Sequence, residues 1–292
     1  MSRNRSTTTR YEVEFANAVP LAAQDNVERQ ATEFRVVLND GTPQQEIKYV
    51  SVSTSVRALC VKEEESGRVG IIQVPLLPGG DWLTADVGMT PDEKQIFITT
   101  TSCKPLPGVR NEWYEDSYEY VDLDIVPASI GTGRVKLVTA PGLDTPRHQA
   151  VMKFSPFPGG ISRIEAETNI YQHIQKSTVA PKFLGHVKED GRIIGFLIEY
   201  IEGARSPEVR DRFLDLALRK CKQTLEALHQ LGVMHNDARP ENCLLRRDGT
   251  AVLIDFELST IATDGSLDGF ERQVGYERDF QAMDPDHYLD SY

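Results

Sequence analysis

Residues 232–257, GVMHNDARPENCLLRRDGTAVLIDFE, constrain this chain more than any other stretch. They place His235, Asp237 and Asn242 in one loop, then two short apolar runs, Cys243-Leu244-Leu245 and Val252-Leu253-Ile254, then Asp255-Phe256. Arg247-Asp248-Gly249 between the runs is a turn signal, so the spacing predicts a hairpin. Such a hairpin brings Asn242 and Asp255 to one end, where both can face one ion. Magnesium accepts hard oxygen ligands of this kind and usually takes only one or two from protein.

Composition narrows the setting. The chain has 292 residues, 26 % charged and 40 % hydrophobic, the balance of a globular protein of one or two domains. No apolar run approaches the length of a membrane span. A net charge of −12 argues against a broad nucleic-acid face, which needs clustered Lys and Arg. The polar, basic start MSRNRSTTTR reads as a disordered tail over residues 1–10, not as a secretory signal. Cys60, Cys103, Cys221 and Cys243 are far apart and form no CxxC pair. They fit a reduced intracellular protein, cytoplasmic or nuclear, better than a disulfide framework or a zinc site. From Asp264 to Tyr292 eight carboxylates face two arginines, which makes residues 263–292 an acidic tail. It is a solvated segment, or one that docks on a basic partner or folds back over the site.

Residues 11–126 are β-rich, with strands expected at 11–15, 33–38, 47–62 (one or two), 68–77, 94–102 and 117–126. Turns such as Asn39-Asp40-Gly41 and Pro78-Gly79-Gly80 separate them. This region is a small β-domain or an extension of the domain C-terminal to it, and a candidate surface for a protein partner.

From residue 127 the motifs change. Ser129 to Val135 carries Gly131 and Gly133, a turn whose backbone N–H groups can approach phosphates. Lys153 ends the run Ala150-Val151-Met152-Lys153, twenty positions after Gly133. Residues 161–176 predict a helix whose apolar face is Ile164, Ile170, Tyr171 and Ile174. Ser206-Pro207-Glu208 reads as a helix start, and Leu214, Leu218, Cys221, Leu225 and Leu228 make a buried stripe up to Leu231.

Taken together these motifs resemble the eukaryotic protein-kinase-like superfamily over about residues 127–262. The resemblance implies an α+β, two-lobed protein-kinase-like fold with a truncated helical C-lobe, preceded by the β-rich region. It implies ATP and Mg2+ as cofactors and a protein or small-molecule hydroxyl as acceptor. Asp237 would orient the acceptor hydroxyl, with Asn242 and Asp255 as metal ligands. Lys153 would position the phosphates, and Glu167, chosen over Glu165, would position Lys153. Arg239 would stabilise charge on the transferring phosphoryl group. Gly131 and Gly133 would cover the phosphates, Val138 and Val151 would roof the adenine, Ile198 would stand as gatekeeper, and the backbone of Glu199 and Ile201 would meet the adenine edge. His235 takes a structural role.

Three departures shape the functional reading. Position 136 is lysine where the usual pattern has a third glycine. Asn236 replaces the arginine that pairs with a phosphorylated loop, so that form of control is not expected. Glu257 follows Asp255-Phe256 where protein kinases have glycine, which restricts the backbone there. His-Asn-Asp with Asp-Phe-Glu also occurs in choline-kinase-like and aminoglycoside-phosphotransferase-like enzymes. Three readings therefore stand: an atypical serine/threonine protein kinase, a small-molecule kinase, and a nucleotide-binding pseudokinase scaffold.

Overall fold

The computed structural model describes residues 10–20, 30–39, 46–53, 61–63, 69–71, 80–90, 95–127, 133–208, 213–262 and 269–284. The chain divides into two units, Met1–Pro107 and Gly108–Tyr292. Among the described residues no helix is long and apolar enough to cross a membrane.

The first unit contains β1 (Arg10–Pro20), β2 (Gln30–Asn39), β3 (Glu46–Ser53), β4 (Val61–Glu63), β5 (Val69–Ile71), β6 (Thr84–Met89) and β7 (Ile96–Ser102). Five of them form a sheet in the order β1-β2-β3-β6-β7, while β4 and β5 pair with each other. The stretch 47–62 thus divides into two strands. Strand β6 escapes the sequence reading because Asp86 and Gly88 are poor strand formers. It forms because β3 pairs with it on one side and β7 on the other. Phe34, Val36, Val50, Val52, Trp82, Ala85 and Val87 alternate inward to make the core of this unit. Lys48 is buried with them, donating from Nζ to the Trp82 carbonyl at 2.6 Å. That bond answers the cost of burying its polar end.

Among the described residues the second unit is α+β: a curled sheet, small two-stranded ribbons and three helices, compatible with a kinase-like fold. Its sheet contains β8 (Ser117–Glu119), β9 (Asp124–Ile125), β10 (Val135–Thr139), β11 (Gln149–Phe154), β12 (Phe183–Glu189) and β13 (Arg192–Glu199), in the order β8-β12-β13-β11-β10-β9. Residues 108–126 therefore belong here and not with the preceding β-rich region. Alternation at 117–126 signals extended chain but not its partner. The partner is β12, which takes β8 in parallel. A turn of 3-10 helix at Tyr120–Asp122 splits the expected strand in two.

Helix α1 (Pro158–His173) begins three residues before the expected start because Pro158 occupies its first turn. Helix α2 (Leu214–Gln230) buries Leu214, Leu218, Cys221, Leu225 and Leu228 as the stripe requires. Its described N-cap is Phe213. Ser206 does not cap it; its hydroxyl donates to the Glu241 carbonyl at 3.1 Å, beside an Arg205–Leu245 bridge. Beyond α2 come β14 (Val233–Met234), β15 (Cys243–Leu245), β16 (Ala251–Leu253) and β17 (Thr260–Ile261), with β14 pairing β17 and β15 pairing β16. Helix α3 (Gly269–Ala282) stands where a solvated acidic tail was expected. One core joins these elements through Ile164, Tyr171, Phe183, Phe196, Leu225, Leu253 and Phe256.

Cys221 on α2 and Cys243 at the start of β15 form a disulfide, correcting the expectation of reduced cysteines. Their separation of 22 residues hides the contact in sequence; the helical stripe creates it. Closing a loop of this length contributes about 3 kcal/mol by restricting the unfolded chain. A reducing agent is therefore expected to lower the urea midpoint of the wild-type chain. The Cys221→Ala/Cys243→Ala variant is expected to be insensitive to it. Equal wild-type midpoints with and without reductant would remove the crosslink.

His186 on β12 is buried, and its Nε2 accepts the Tyr114 N–H at 3.4 Å. Burial holds its pKa below the ordinary 6.5, against an opposing pull from Glu112. The unfolded chain then binds this proton more readily, so stability drains as pH falls below the ordinary histidine range. Between pH 7 and 5 the melting temperature of wild type is expected to fall more steeply than that of His186→Gln. Parallel pH profiles would contradict this.

Candidate active site

The site is organised around one buried ammonium. Lys153 lies on β11, between β10 and β13, opposite Val135 on one side and Phe196 on the other. Its Nζ is 2.5 Å from Glu167 Oε2 and 2.5 Å from Asp255 Oδ1. Burial pushes its pKa down, but the two carboxylates outweigh that and hold it above the usual lysine value. Glu167 is buried on α1 and also accepts the Phe256 N–H at 3.3 Å. Glu165, half a helical turn away, instead faces Arg110 at 3.5 Å.

The loop after α2 uses its sequence closely. Gly232 has φ +77°, Asn236 φ +61° and Asp255 φ +66°. Asparagine and aspartate tolerate this left-handed region better than most residues. Proline at 240 starts a short 3-10 turn that swings Asn242 back toward Asp237. Asn242 Nδ2 donates to the Asp237 carbonyl at 2.9 Å and to its Oδ2 at 2.8 Å. Arg239 stands 3.3 Å from the same Oδ2. Cys243 pairs with Leu253, and the Ile254 N–H donates to the Asn242 carbonyl at 2.9 Å, so the hairpin sets Asn242 beside the start of Asp255.

This donor set fits a magnesium ion. The nitrogen of the Asn242 amide is committed to Asp237, which leaves its oxygen as the atom that would accept a hard cation. Among the described residues there is no cluster of three His, Cys, Asp or Glu. Two protein oxygens from Asn242 and Asp255 suit a metal that keeps much of its water and binds substrate phosphates.

Support comes from a residue that sequence reasoning did not find. Asp279 on α3 is buried, and its carboxylate accepts the backbone N–H groups of His235 at 2.8 Å and Asn236 at 3.0 Å. His229 Nε2 on α2 is 3.0 Å from it. One side chain thus fixes the backbone immediately before Asp237. Its signal in sequence was lost among eight carboxylates with no strong apolar face around them. His235 itself is buried; its ring nitrogen lies 3.1 Å from the Ile254 carbonyl and its ring 5.2 Å from Phe256. Phe256 in turn meets Tyr171 at 5.5 Å, and Tyr171 meets Phe183 at 5.7 Å. Asn236 ties the segment after Asp255 by donating to the Leu258 carbonyl and Thr260 hydroxyl, while Arg278 donates to its Oδ1.

The positions expected to meet a nucleotide lie on β10, β11, β13 and the chain beside them. Gly131 lies outside the described residues, and Gly133 has φ +61°. Val151 shares the face of Lys153, opposite Leu137. Val138 does not: it pairs with Ala150, so strand alternation turns it to the other face, while Val135 and Leu137 share the face of Lys153. Ile198 is opposite Val151 on the near face. The Glu199 carboxylate forks onto Arg246 with two bonds of 2.8 Å, and its N–H donates to the Lys182 carbonyl. Glu257 gathers cations, with Arg134 at 3.4 Å, Arg163 at 3.5 Å and Lys153 at 4.0 Å.

Asp279→Ala strips a buried acceptor from two backbone N–H groups at once. It is expected to lower stability by about 3 kcal/mol in chemical denaturation. A change below about 0.5 kcal/mol, the size typical of surface substitutions, would mean that the loop does not rest on it.

Comparison with known proteins finds a family-model match and distant kinase relatives. Residues 197–263 match the phosphotransferase enzyme family, APH. The chain is 30 % identical over 154 residues to serine/threonine-protein kinase PknH of Mycobacterium bovis, covering 49 % of this chain and 23 % of that one. It is 30 % identical over 95 residues to dual specificity protein kinase zak2 of Dictyostelium discoideum, covering 32 % of this chain and 15 % of the other. It is 25 % identical over 181 residues to the cAMP-dependent protein kinase catalytic subunit PRKX of Mus musculus, covering 57 % of this chain and 49 % of that protein. The chain thus spans about a quarter of the length of PknH and half that of PRKX. In its second unit this chain is similar to the protein-kinase-like superfamily, by a match to its phosphotransferase branch and by distant similarity to serine/threonine kinases.

Proposed function

We propose that the second unit is an ATP- and Mg2+-dependent phosphotransferase that passes the γ-phosphoryl group to a hydroxyl, in the manner of an atypical serine/threonine protein kinase. The observation that carries this reading is the grip on Lys153. A lysine buried between Glu167 and Asp255 is fixed in place and kept charged. Such a lysine suits the α- and β-phosphates of a nucleotide. Asn242 and Asp255 would hold the metal, whose chemistry when bound is to neutralise charge on the phosphate oxygens.

Asp237 would orient the acceptor hydroxyl and take its proton as the oxygen attacks phosphorus. The bond from phosphorus to the bridging oxygen breaks, and ADP leaves. Arg239, beside Asp237 and exposed, would stabilise charge on the phosphoryl oxygens. Ile201 has a backbone N–H with no partner among the described residues, which suits an adenine edge. Similarity to serine/threonine kinases favours a protein acceptor. The match of residues 197–263 to the phosphotransferase enzyme family, together with Asp255-Phe256-Glu257, supports a second reading with a small-molecule acceptor.

The test is transfer of labelled γ-phosphate from ATP to protein and small-molecule acceptors. Lys153→Met and Asp255→Asn are each expected to abolish transfer, and chelation of the metal to do the same. Asp237→Asn is expected to lower kcat by about 10²–10⁴-fold while KM for ATP stays within about twofold, since it acts on the acceptor. Wild-type turnover in Lys153→Met or Asp255→Asn would overturn the assignment.

A further inference from the structure

We propose that Asn111, together with Arg110 and Trp113 of the same segment, is a positioning residue that holds helix α1 in the orientation that keeps Glu167 on Lys153. The regulatory part of this claim rests on the function proposed above; the structural part does not. Segment 108–116 carries none of the phosphate or metal chemistry, yet it is bonded to β13, to β12 and to α1 itself. At its start, the Val109 N–H donates to the Ile193 carbonyl on β13 at 2.9 Å, and the Val109 side chain is buried in the core. At its end, the Asp116 carbonyl accepts the His186 N–H on β12 at 3.0 Å. Between them, Glu112 pairs with Lys188 of β12 at 2.5 Å. The segment is thus pinned to the sheet at both ends.

The middle of the segment reaches across to α1. Asn111 Nδ2 donates to Asn169 Oδ1 at 2.6 Å and to Gln172 Oε1 at 2.9 Å. Arg110 pairs with Glu165. Positions 165, 169 and 172 step by four and three residues, so they form one stripe on the outer face of the helix. Positions 164, 167, 168 and 171 are buried and form the inner stripe, with Glu167 on Lys153 and Tyr171 on Phe256. The start of the helix has no side-chain cap to fix it. Its rotation and tilt are therefore set by what holds its two faces. Rotation of the helix about its axis swings the Glu167 carboxylate sideways, out of its 2.5 Å contact with the ammonium. Asn111 and Arg110 oppose that rotation from outside.

A second link runs through the rings. Trp113 lies 4.7 Å from Phe183, which extends the series Phe183–Tyr171–Phe256–His235 into segment 108–116. The segment therefore touches both the helix that carries Glu167 and the ring column that ends at the Asp237 loop. The chain would hold its own lysine–glutamate pair closed from within, without a phosphorylated loop or a separate activating partner.

The experiment uses the full chain, with Asn111→Leu, which keeps bulk but loses the amide, and Arg110→Ala/Asn111→Leu. Hydrogen exchange of residues 158–173 is read without nucleotide, alongside the melting temperature; Mg·ATP affinity and the kcat and KM(ATP) values are read separately. The expected result is exchange in α1 faster by roughly tenfold, the scale of two neutral hydrogen bonds, with α2 unchanged. Weaker Mg·ATP binding and a raised KM(ATP) are expected to accompany it. Exchange in α1 equal to wild type in both variants, or exchange rising equally in α1 and α2, would overturn the proposal. A wild-type chain that binds no Mg·ATP would sink the phosphotransfer reading and leave the exchange result to judge the clamp alone.

Discussion

A charged amine taken out of water is expensive unless it is paired, and Lys153 is the point where this chain meets that constraint. Two carboxylates from distant parts of the sequence, Glu167 and Asp255, are drawn to one strand position. Satisfying them fixes the helix that carries Glu167 and the strand end that carries Asp255. Removing either partner would leave a buried charge, so the three residues act as a unit. The geometry of the candidate site is then a consequence of burial as much as of sequence motif.

The same logic repeats one layer down. The Asp237 loop has no regular structure of its own to hold it. Asp279 supplies two acceptor bonds to its backbone, and Asn236 and Ser259 tie it to the segment after Asp255. The Cys221–Cys243 link joins α2 to the strand that begins immediately after Asn242. Rings from His235 to Phe183 connect this support to the sheet and α1. Each device restrains backbone near a residue of the candidate site, and none of them is among the residues proposed to meet phosphate or metal.

Legibility in the sequence depends on the range of each interaction. The hairpin around Gly249 and the buried stripe of α2 are set by spacing and periodicity, and sequence carries those directly; the choice of Glu167 over Glu165 came from the register that the resemblance supplies. Val138 was misplaced because counting residues to a motif ignores which face of a strand each residue takes; register with Ala150 decides it. Strand β6, the disulfide and Asp279 depend on partners tens of residues away, so no local pattern reveals them. Residues 108–126 looked like the end of a β-rich region because extended chain reads the same whichever sheet it joins. The glycine turn at Gly131 lies outside the described residues.

The most direct test of the central claim is a thermal shift of the full chain with ATP, with and without magnesium, on wild type and Asp255→Asn in parallel. A ligand that binds the native state raises the melting temperature by mass action. A site built from Lys153, Asn242 and Asp255 requires a magnesium-dependent rise in wild type that is lost in the variant. No rise at millimolar ATP, or an equal rise in both proteins, would contradict it.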